Sequence, residues 1–178
     1  MEILNQESVL ARKQEILEAI QSGKIFIYPT DTIYGLGCSA LLGNAVSKIR
    51  AIKERDNKPF SVIAPSKAWI KKYCAVLMED VDKYLPGPYT LLVKRIKEAV
   101  AKEVNPNDET LGVRIPKHWF ASIVQEAGVP FITTSVNVSG EPHMEKLEDV
   151  KPEILNQVDY VIDEGEIKGA RSEKVDLL

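Results

Sequence analysis

The sequence has few of the residues that build metal and redox sites. Its 178 residues include two cysteines and two histidines, and none of them belongs to a CxxC or HExxH motif. Cys38 and Cys74 lie far apart in the chain, so we predict two reduced thiols in the core and no disulfide. With His118 and His143 alone, the sequence does not support a zinc site.

Three widespread nucleotide-binding and hydrolase motifs are also missing. The chain has no GxxxxGK[ST], no GxGxxG that opens a helix after a strand, and no G-x-S-x-G. Gly35 and Gly37 alone are a weak signal. These absences argue against P-loop, Rossmann-type and serine-hydrolase mechanisms.

Long apolar runs and a strong excess of either charge are absent as well. No run approaches the ~18 residues of a membrane span, and the first residues lack the pattern of a signal peptide, so we expect a cytoplasmic protein without membrane contact. The formal net charge is -3 at pH 7, which argues against a surface that binds nucleic acid throughout. Any RNA or tRNA contact is therefore expected to be weak and local.

The chain does show a regular alternation of apolar and amphipathic segments. Strand composition is found at 25–28, 61–64, 89–93, 111–115, 131–134 and 158–162. Helices are predicted at 8–22, 44–52, 69–73 and 116–127. These helices are predicted to begin at or just after Ser8, Asn44 and Pro116, and two of them to end just before Gly23 and Gly128. This order predicts an α/β protein, a single domain of residues 1–178 around a twisted mixed β-sheet flanked by helices.

The most distinctive stretch is residues 24–40, KIFIYPTDTIYGLGCSA. Residues 25–28 have strand composition, and Pro29 is expected to end the strand because it has no N–H to donate. Hydroxyl groups and glycines follow: Thr30, Asp31, Thr32, Tyr34, Gly35 and Gly37. Since ligands bind at the carboxyl ends of strands in α/β sheets, we predict a binding loop at 30–37 whose glycines let the backbone approach a ligand.

Cationic and hydroxyl side chains recur on other predicted loops. They are Lys53, Arg55, Lys58, Arg114, Thr133, Thr134, Ser135, Asn137 and Ser139. Together such groups bind polyphosphates or carboxylates through charge-assisted hydrogen bonds. Spacing alone leaves alternatives open, because the charged run 53–56 also fits a solvated helix end, Arg114 also fits an exposed sheet face, and the hydroxyl runs also fit turns.

Six segments together resemble the YrdC-like family. In chain order they are YPTDTIYGLG, the Lys53-x-Arg55 element, PGPYTLLV, LGVRIPKH, TTSVNVSGEP and the terminal SEKVDL. The resemblance covers about residues 24–177 and implies a YrdC-like domain with a concave basic cavity. It also implies a nucleotidyltransferase, an L-threonylcarbamoyladenylate synthase that converts L-threonine, bicarbonate and ATP to threonylcarbamoyl-AMP and pyrophosphate. Partner transferase proteins would then use the product to modify an adenosine beside the tRNA anticodon.

The resemblance further implies roles for individual residues. The positions that match threonine contacts are Thr32, Arg114, Thr133 and Ser172. The positions that match nucleotide contacts are Arg55, Lys58, Thr110, Ser135, Asn137 and His143, and Tyr34 belongs to the first motif. Lys53 and Arg55 are expected to face the phosphates and, with Mg²⁺ bound there, to stabilise charge on the leaving pyrophosphate. No covalent nucleophile is expected, and no protein-bound metal.

The chain departs from the family pattern at three places. The segment between Arg55 and Pro59 is one residue shorter than the commonest pattern. Ile63 stands where many relatives have a histidine near the threonine. Glu173 and Lys174 replace a threonine and an aliphatic residue of the terminal motif.

Three other functions remain open at this point. An RNA-binding module of the same fold would show salt-sensitive RNA affinity without a need for ATP. A carbamoyl-transfer unit, as in hydrogenase-maturation proteins, is disfavoured because zinc-finger and acylphosphatase-like regions are missing. A relative that has lost activity and serves as an interaction subunit is supported only by Ile63 and the shorter loop.

Overall fold

Ten strands form one twisted mixed sheet in the computed structural model, which describes all residues 1–178. The strands are β1 (Glu2–Leu4), β2 (Phe26–Tyr28), β3 (Gly35–Gly37), β4 (Ser61–Ile63), β5 (Cys74–Ala75), β6 (Tyr89–Arg95), β7 (Thr110–Arg114), β8 (Phe131–Ser135), β9 (Tyr160–Ile162) and β10 (Glu173–Asp176). Their order is β1-β9-β2-β3-β8-β4-β7-β6-β10, and β5 pairs with β6. The parallel pairs are β1–β9, β2–β9, β4–β7 and β6–β10, and the other pairs are antiparallel.

Helices cover both faces of this sheet. They are α1 (Gln6–Ala11), α2 (Lys13–Gln21), α3 (Gly43–Ile52), α4 (Lys67–Tyr73), α5 (Met78–Tyr84), α6 (Trp119–Ala127) and α7 (Pro152–Leu155), and two 3-10 helices span Lys102–Val104 and Leu147–Asp149. The prediction of a mixed α/β sheet flanked by helices is confirmed. None of the helices is long and apolar enough to cross a membrane.

Two separate cores lie on the two faces because side chains alternate along each strand. Val62 and Ile132 belong to a core of 30 buried residues that also includes residues of α3, α4 and α5. Their neighbours Ile63 and Phe131 belong to a core of 14 buried residues under α1, α2 and α6. Both thiols are buried and unpaired, as predicted.

Several predicted boundaries are wrong. Residues 8–22 form two helices that meet at Arg12, whose φ of -110° and ψ of 28° are not helical, and Asn5 rather than Ser8 caps the first. The N-cap of α3 is Leu42 and not Asn44. Helix α6 begins at Trp119 instead of residue 116, because the side chain of His118 accepts a hydrogen bond from the N–H of Phe120. The elements β1, β3, β5, β10, α5 and α7 were not predicted.

The predicted binding loop at 30–37 is a turn followed by strand β3. This strand pairs antiparallel with β2, and Gly35 lies across from Tyr28. A Cβ atom on Gly35 would lie 2.6 Å from the Tyr28 ring, and one on Gly37 would lie 2.0 Å from the carbonyl oxygen of Ile132. The two glycines therefore make room for an aromatic ring and a neighbouring strand. Gly35 also lines the cavity described below, whereas Gly37 does not.

Candidate functional site

A cavity of about 400 Å³ lies on the same face of the sheet as the smaller core. Eighteen residues line it, and three of them are hydrophobic. Its walls come from the 30–35 turn, the 55–61 segment, β6, β7, β8 and the segment that leads into β10. Five lining side chains are cationic, namely Arg55, Lys58, Arg114, Arg171 and Lys174, and no lining residue is acidic. Such a lining suits an anionic ligand.

Arg114 is held rigidly at one end of the cavity. Its side chain is 5% exposed, and its Nη2 lies 2.5 Å from Oδ1 of Asp31. The other terminal nitrogen donates to the hydroxyl of Thr32 at 3.2 Å, and the buried Nε has no partner in the protein. Burial lowers the pKa of Arg114, and the Asp31 carboxylate opposes this shift. The guanidinium is thus fixed by Asp31 and Thr32, and its Nε–H has no partner in the protein.

Hydroxyl groups from three parts of the fold line the same cavity as this guanidinium. The Thr30 hydroxyl donates to the carbonyl of Ile33 at 2.6 Å and lies 3.0 Å from the hydroxyl of Thr32. On the edge of the sheet, the hydroxyls of Thr90 and Ser172 are 2.7 Å apart. Thr133, Thr134 and Ser135 complete the lining along β8. The result is a wall of donors and acceptors of the size of an amino acid's polar groups.

Lys53 does not line the cavity, contrary to the expectation that it faces the phosphates. Its side chain is 1% exposed, and Nζ donates to the carbonyls of Ser135 and Asn137 and to Oδ1 of Asn137 at 2.6–2.9 Å. Burial, followed by the charges of Arg55 and Arg171, lowers the pKa of Lys53 to about 7. Lys53 therefore fixes the backbone where β8 ends, behind the cavity wall.

The chain reversal at the end of α3 explains why Lys53 and Arg55 diverge. Glu54 has a φ of +47°, and the N–H groups of Glu54 and Arg55 donate to the carbonyls of Ala51 and Arg50. This is the Schellman arrangement, with a glutamate where glycine is usual. It directs the residue before Glu54 into the protein and the residue after it toward the cavity.

Arg55 has no acidic partner. Its guanidinium lies 4.9 Å from the Phe60 ring centroid, and it donates to the carbonyls of Pro59 and Lys58 at 2.6 and 3.3 Å. Burial, followed by the charges of Arg50 and Arg171, lowers the pKa of Arg55. A cation in this setting is stabilised by an added anion.

Eight of the twelve sequence-predicted site residues line the cavity: Thr32, Tyr34, Arg55, Lys58, Arg114, Thr133, Ser135 and Ser172. The other four do not. The Thr110 hydroxyl donates to Asp108 at 2.6 Å, and Asn137 uses its side chain to hold Lys53, Ser135 and the carbonyl of Glu141. His143 borders a separate depression, and its buried Nε2 has no partner.

Tyr34 tethers the segment that follows β9. Its hydroxyl donates to the carbonyl of Gly165 at 2.7 Å and accepts from the N–H of Glu164 at 2.9 Å. The Glu164 carboxylate lies 3.0 Å from Nε2 of His118. Further along, a Cβ atom on Gly169 would lie 2.1 Å from the carbonyl oxygen of Thr32. Several contacts thus hold this segment against the 30–34 turn.

Sequence reasoning missed part of the lining. Thr90 occupies a hydroxyl position within the PGPYTLLV motif and could have been found there, because it follows the turn at the start of a strand. Arg171 and Lys174 lie on either side of Ser172, within or next to the terminal motif, and were not predicted as site residues. Ile63, one of the expected departures from the family pattern, does not line the cavity. It is 1% exposed and packs in the smaller core.

No group of three or more His, Cys, Asp or Glu side chains is placed to hold a metal ion. The hydroxyl and guanidinium groups of the cavity are ligands for anions and polar groups rather than for divalent cations.

The chain matches a family model for Sua5, YciO and YrdC proteins, described as "Telomere recombination", over residues 18–177. It is 38% identical to the "Putative threonylcarbamoyl-AMP synthase" of Methanocaldococcus jannaschii over 173 residues. The aligned region covers 93% of this chain and 79% of the relative. The "Threonylcarbamoyl-AMP synthase" of Bos taurus is 33% identical over 160 residues, 86% of this chain and 56% of the relative.

Solved structures agree with this match. The crystal structure of P. abyssi Sua5 complexed with L-threonine superposes with a TM-score of 0.86 at 27% identity. The superposition covers 99% of this chain and 54% of that chain. The chain therefore spans about half the length of the mammalian and P. abyssi proteins that it resembles.

Proposed function

The chain belongs to the Sua5/YciO/YrdC family, as the six motifs predicted, and on that premise we propose that it is an L-threonylcarbamoyladenylate synthase. The observation that carries the proposal is the composition of the cavity. A buried, oriented guanidinium among hydroxyls lies in the same cavity as a group of cations without acidic partners. These two parts suit an amino acid and a nucleoside triphosphate.

L-Threonine would bind beside Arg114. The guanidinium keeps N–H groups that no protein contact uses and suits a carboxylate, while the hydroxyls of Thr32, Thr133 and Ser172 can hold the amine and hydroxyl of the ligand. The P. abyssi relative has been crystallised with L-threonine, which supports this assignment. Because the donors are fixed by protein contacts before binding, little reorganisation is needed.

ATP would place its phosphates against Arg55 and Lys58, with Ser135 as a further polar contact. Lys53 is assigned a positioning role in this scheme, since it holds the backbone of Ser135 and Asn137 through three hydrogen bonds. The predicted nucleotide contacts of Thr110, Asn137 and His143 stay predictions. Thr110 and Asn137 would need to leave the hydrogen bonds described above, and His143 borders a separate depression.

The reaction would join the two substrates by positioning and charge stabilisation. Bicarbonate yields carbon dioxide and hydroxide, the threonine amine attacks the carbon dioxide, and the proton that the amine loses converts the hydroxide to water. An oxygen of the resulting carbamate then attacks the α-phosphorus of ATP. The bond from that phosphorus to the bridging oxygen breaks, and pyrophosphate leaves with its electrons. Arg55 and Lys58 would stabilise the charge that develops there, and Mg²⁺ on the phosphates would add to it. The product would pass to partner transferase proteins that modify tRNA.

The test is direct product analysis. The purified protein is incubated with MgATP, L-threonine and bicarbonate, and threonylcarbamoyl-AMP is sought by mass spectrometry. We expect the adduct with all substrates and none without threonine. The Arg114→Gln variant is expected to raise the KM for threonine at least about tenfold, the usual effect of losing a charge-assisted hydrogen bond. Absence of the adduct, together with tight RNA binding that falls steeply with salt, would instead indicate an RNA-binding module.

A further inference from the structure

Two cations of the C-terminal segment have no part in the function as described so far. Arg171 precedes β10 and Lys174 lies within it, and both line the cavity. Neither side chain forms a hydrogen bond or ion pair within the protein, whereas Lys168 on the same segment pairs with Glu166 at 3.7 Å. We propose that Arg171 and Lys174 bind the polyphosphate of the nucleotide together with Arg55 and Lys58. This inference rests on the proposed function.

Arg171 lies close enough to Arg55 for the two positive charges to repel each other. The positive charge of Arg171 contributes to lowering the pKa of both Lys53 and Arg55, because it disfavours their protonated forms. No lining carboxylate offsets this repulsion. Like charges gathered without a counter-ion are unfavourable unless an anion binds among them.

The Arg171 side chain is exposed, but the backbone on both sides of it is fixed. Gly169 packs directly on the carbonyl of Thr32, and the Ser172 hydroxyl lies 2.7 Å from that of Thr90. The parallel pairing of β10 with β6 places Lys174 in register with Thr90. The two cations are therefore presented to the cavity by ordered structure.

The number of cations identifies the class of ligand. Arg114 already has the Asp31 carboxylate as its partner. The remaining Arg55, Lys58, Arg171 and Lys174 would exceed the charge of a single carboxylate and match a diphosphate or triphosphate.

Calorimetric binding of inorganic pyrophosphate and of MgATP tests the proposal without any need for catalysis. The variant is Arg171→Gln with Lys174→Gln, and the matched control is Lys168→Gln, which removes one charge from the same segment outside the cavity lining. We expect the double variant to bind both ligands at least about tenfold more weakly. L-Threonine affinity and the melting temperature should match those of wild type, and the control should bind pyrophosphate as wild type does.

Three outcomes would overturn the proposal. They are unchanged pyrophosphate affinity in the double variant, an equal loss in Lys168→Gln, and loss of tRNA binding with MgATP binding intact. The outcome of this binding test can be distinguished from the outcome of the test for adenylate synthesis. A wild-type protein that binds pyrophosphate through Arg171 but makes no threonylcarbamoyl-AMP would refute the synthase alone. A working synthase whose double variant binds pyrophosphate normally would refute this inference alone.

Discussion

Asp31 and Arg114 form an ion pair with both side chains nearly buried, at 11% and 5% exposure. Oδ2 of the same carboxylate accepts the N–H of Lys117 at 2.8 Å. Asp31 thereby ties the 30–34 turn to the end of β7 and neutralises the guanidinium that is assigned to the threonine carboxylate. The pair links the stability of the fold to the occupancy of the site.

The Asp31→Asn variant tests this link. It keeps the shape of the side chain but leaves a buried guanidinium without its counter-charge, so we expect the free energy of unfolding to fall by about 3 kcal/mol. Because the threonine carboxylate would replace the missing charge, saturating L-threonine should raise the melting temperature of the variant more than that of wild type. A loss of stability below about 1 kcal/mol, the value for exposed pairs, would contradict the argument.

Lys53 makes stability depend on pH. Its pKa is about 7 in the folded protein, against 10.5 for an unperturbed lysine. Between these values the unfolded chain binds a proton that the folded protein has lost, so the contribution of Lys53 to stability rises with pH. Urea unfolding from about pH 7 to about pH 10 should show a rise in wild type that is absent in Lys53→Met. Parallel curves for the two proteins would show that Lys53 has an ordinary pKa.

Glu54 carries backbone strain that glycine would relieve. Its φ of +47° lies in the left-handed region, which costs a residue with a Cβ atom about 1 kcal/mol. We expect Glu54→Gly to raise the free energy of unfolding by up to about 1 kcal/mol. Glu54→Ala keeps the Cβ atom and should bring no such gain, so thermal unfolding of both variants separates backbone strain from loss of charge.

Gly169 allows the C-terminal segment to pack on the 30–34 turn. A Cβ atom there would approach the carbonyl oxygen of Thr32 to 2.1 Å, so Gly169→Ala should displace the segment that carries Arg171 and Ser172. Adenylate synthesis is expected to fall at least about tenfold, because small misplacements of positioning groups are costly. The neighbouring exposed residue supplies a control, Ala170→Ser, which should retain activity. Equal activity in the two variants would show that the close contact does not matter.

The architecture could be predicted because the apolar segments follow strand and helix periods closely. Strand β8 and helix α6 were found close to their observed positions. The exceptions have local causes. Strand β3 is Gly-Leu-Gly, which has almost no strand propensity and exists because Tyr28 fills the space beside its first glycine. The break between α1 and α2 depends on the conformation of one arginine.

The site was harder to predict, because residue type does not reveal on which side of a turn a charge lies. Lys53 and Arg55 look equivalent in sequence, yet the reversal at Glu54 buries one and directs the other to the cavity. The hydrogen bonds that occupy Asn137 arise from contacts between distant segments and leave no local signal. Arg114, by contrast, lies in the cavity as its motif implied.

The close contact between Gly169 and Thr32 has a consequence for biosynthesis. During translation the chain emerges from its N-terminus, so Asp31, Arg114 and most of the sheet can assemble before residues 169–176 have left the ribosome. The packing of Gly169 on Thr32 and the pairing of β10 with β6 then bring Ser172 and Arg171 to the cavity. A nascent chain would therefore acquire affinity for its substrates late, and the ligands could stabilise the finished protein but not the early steps of its folding.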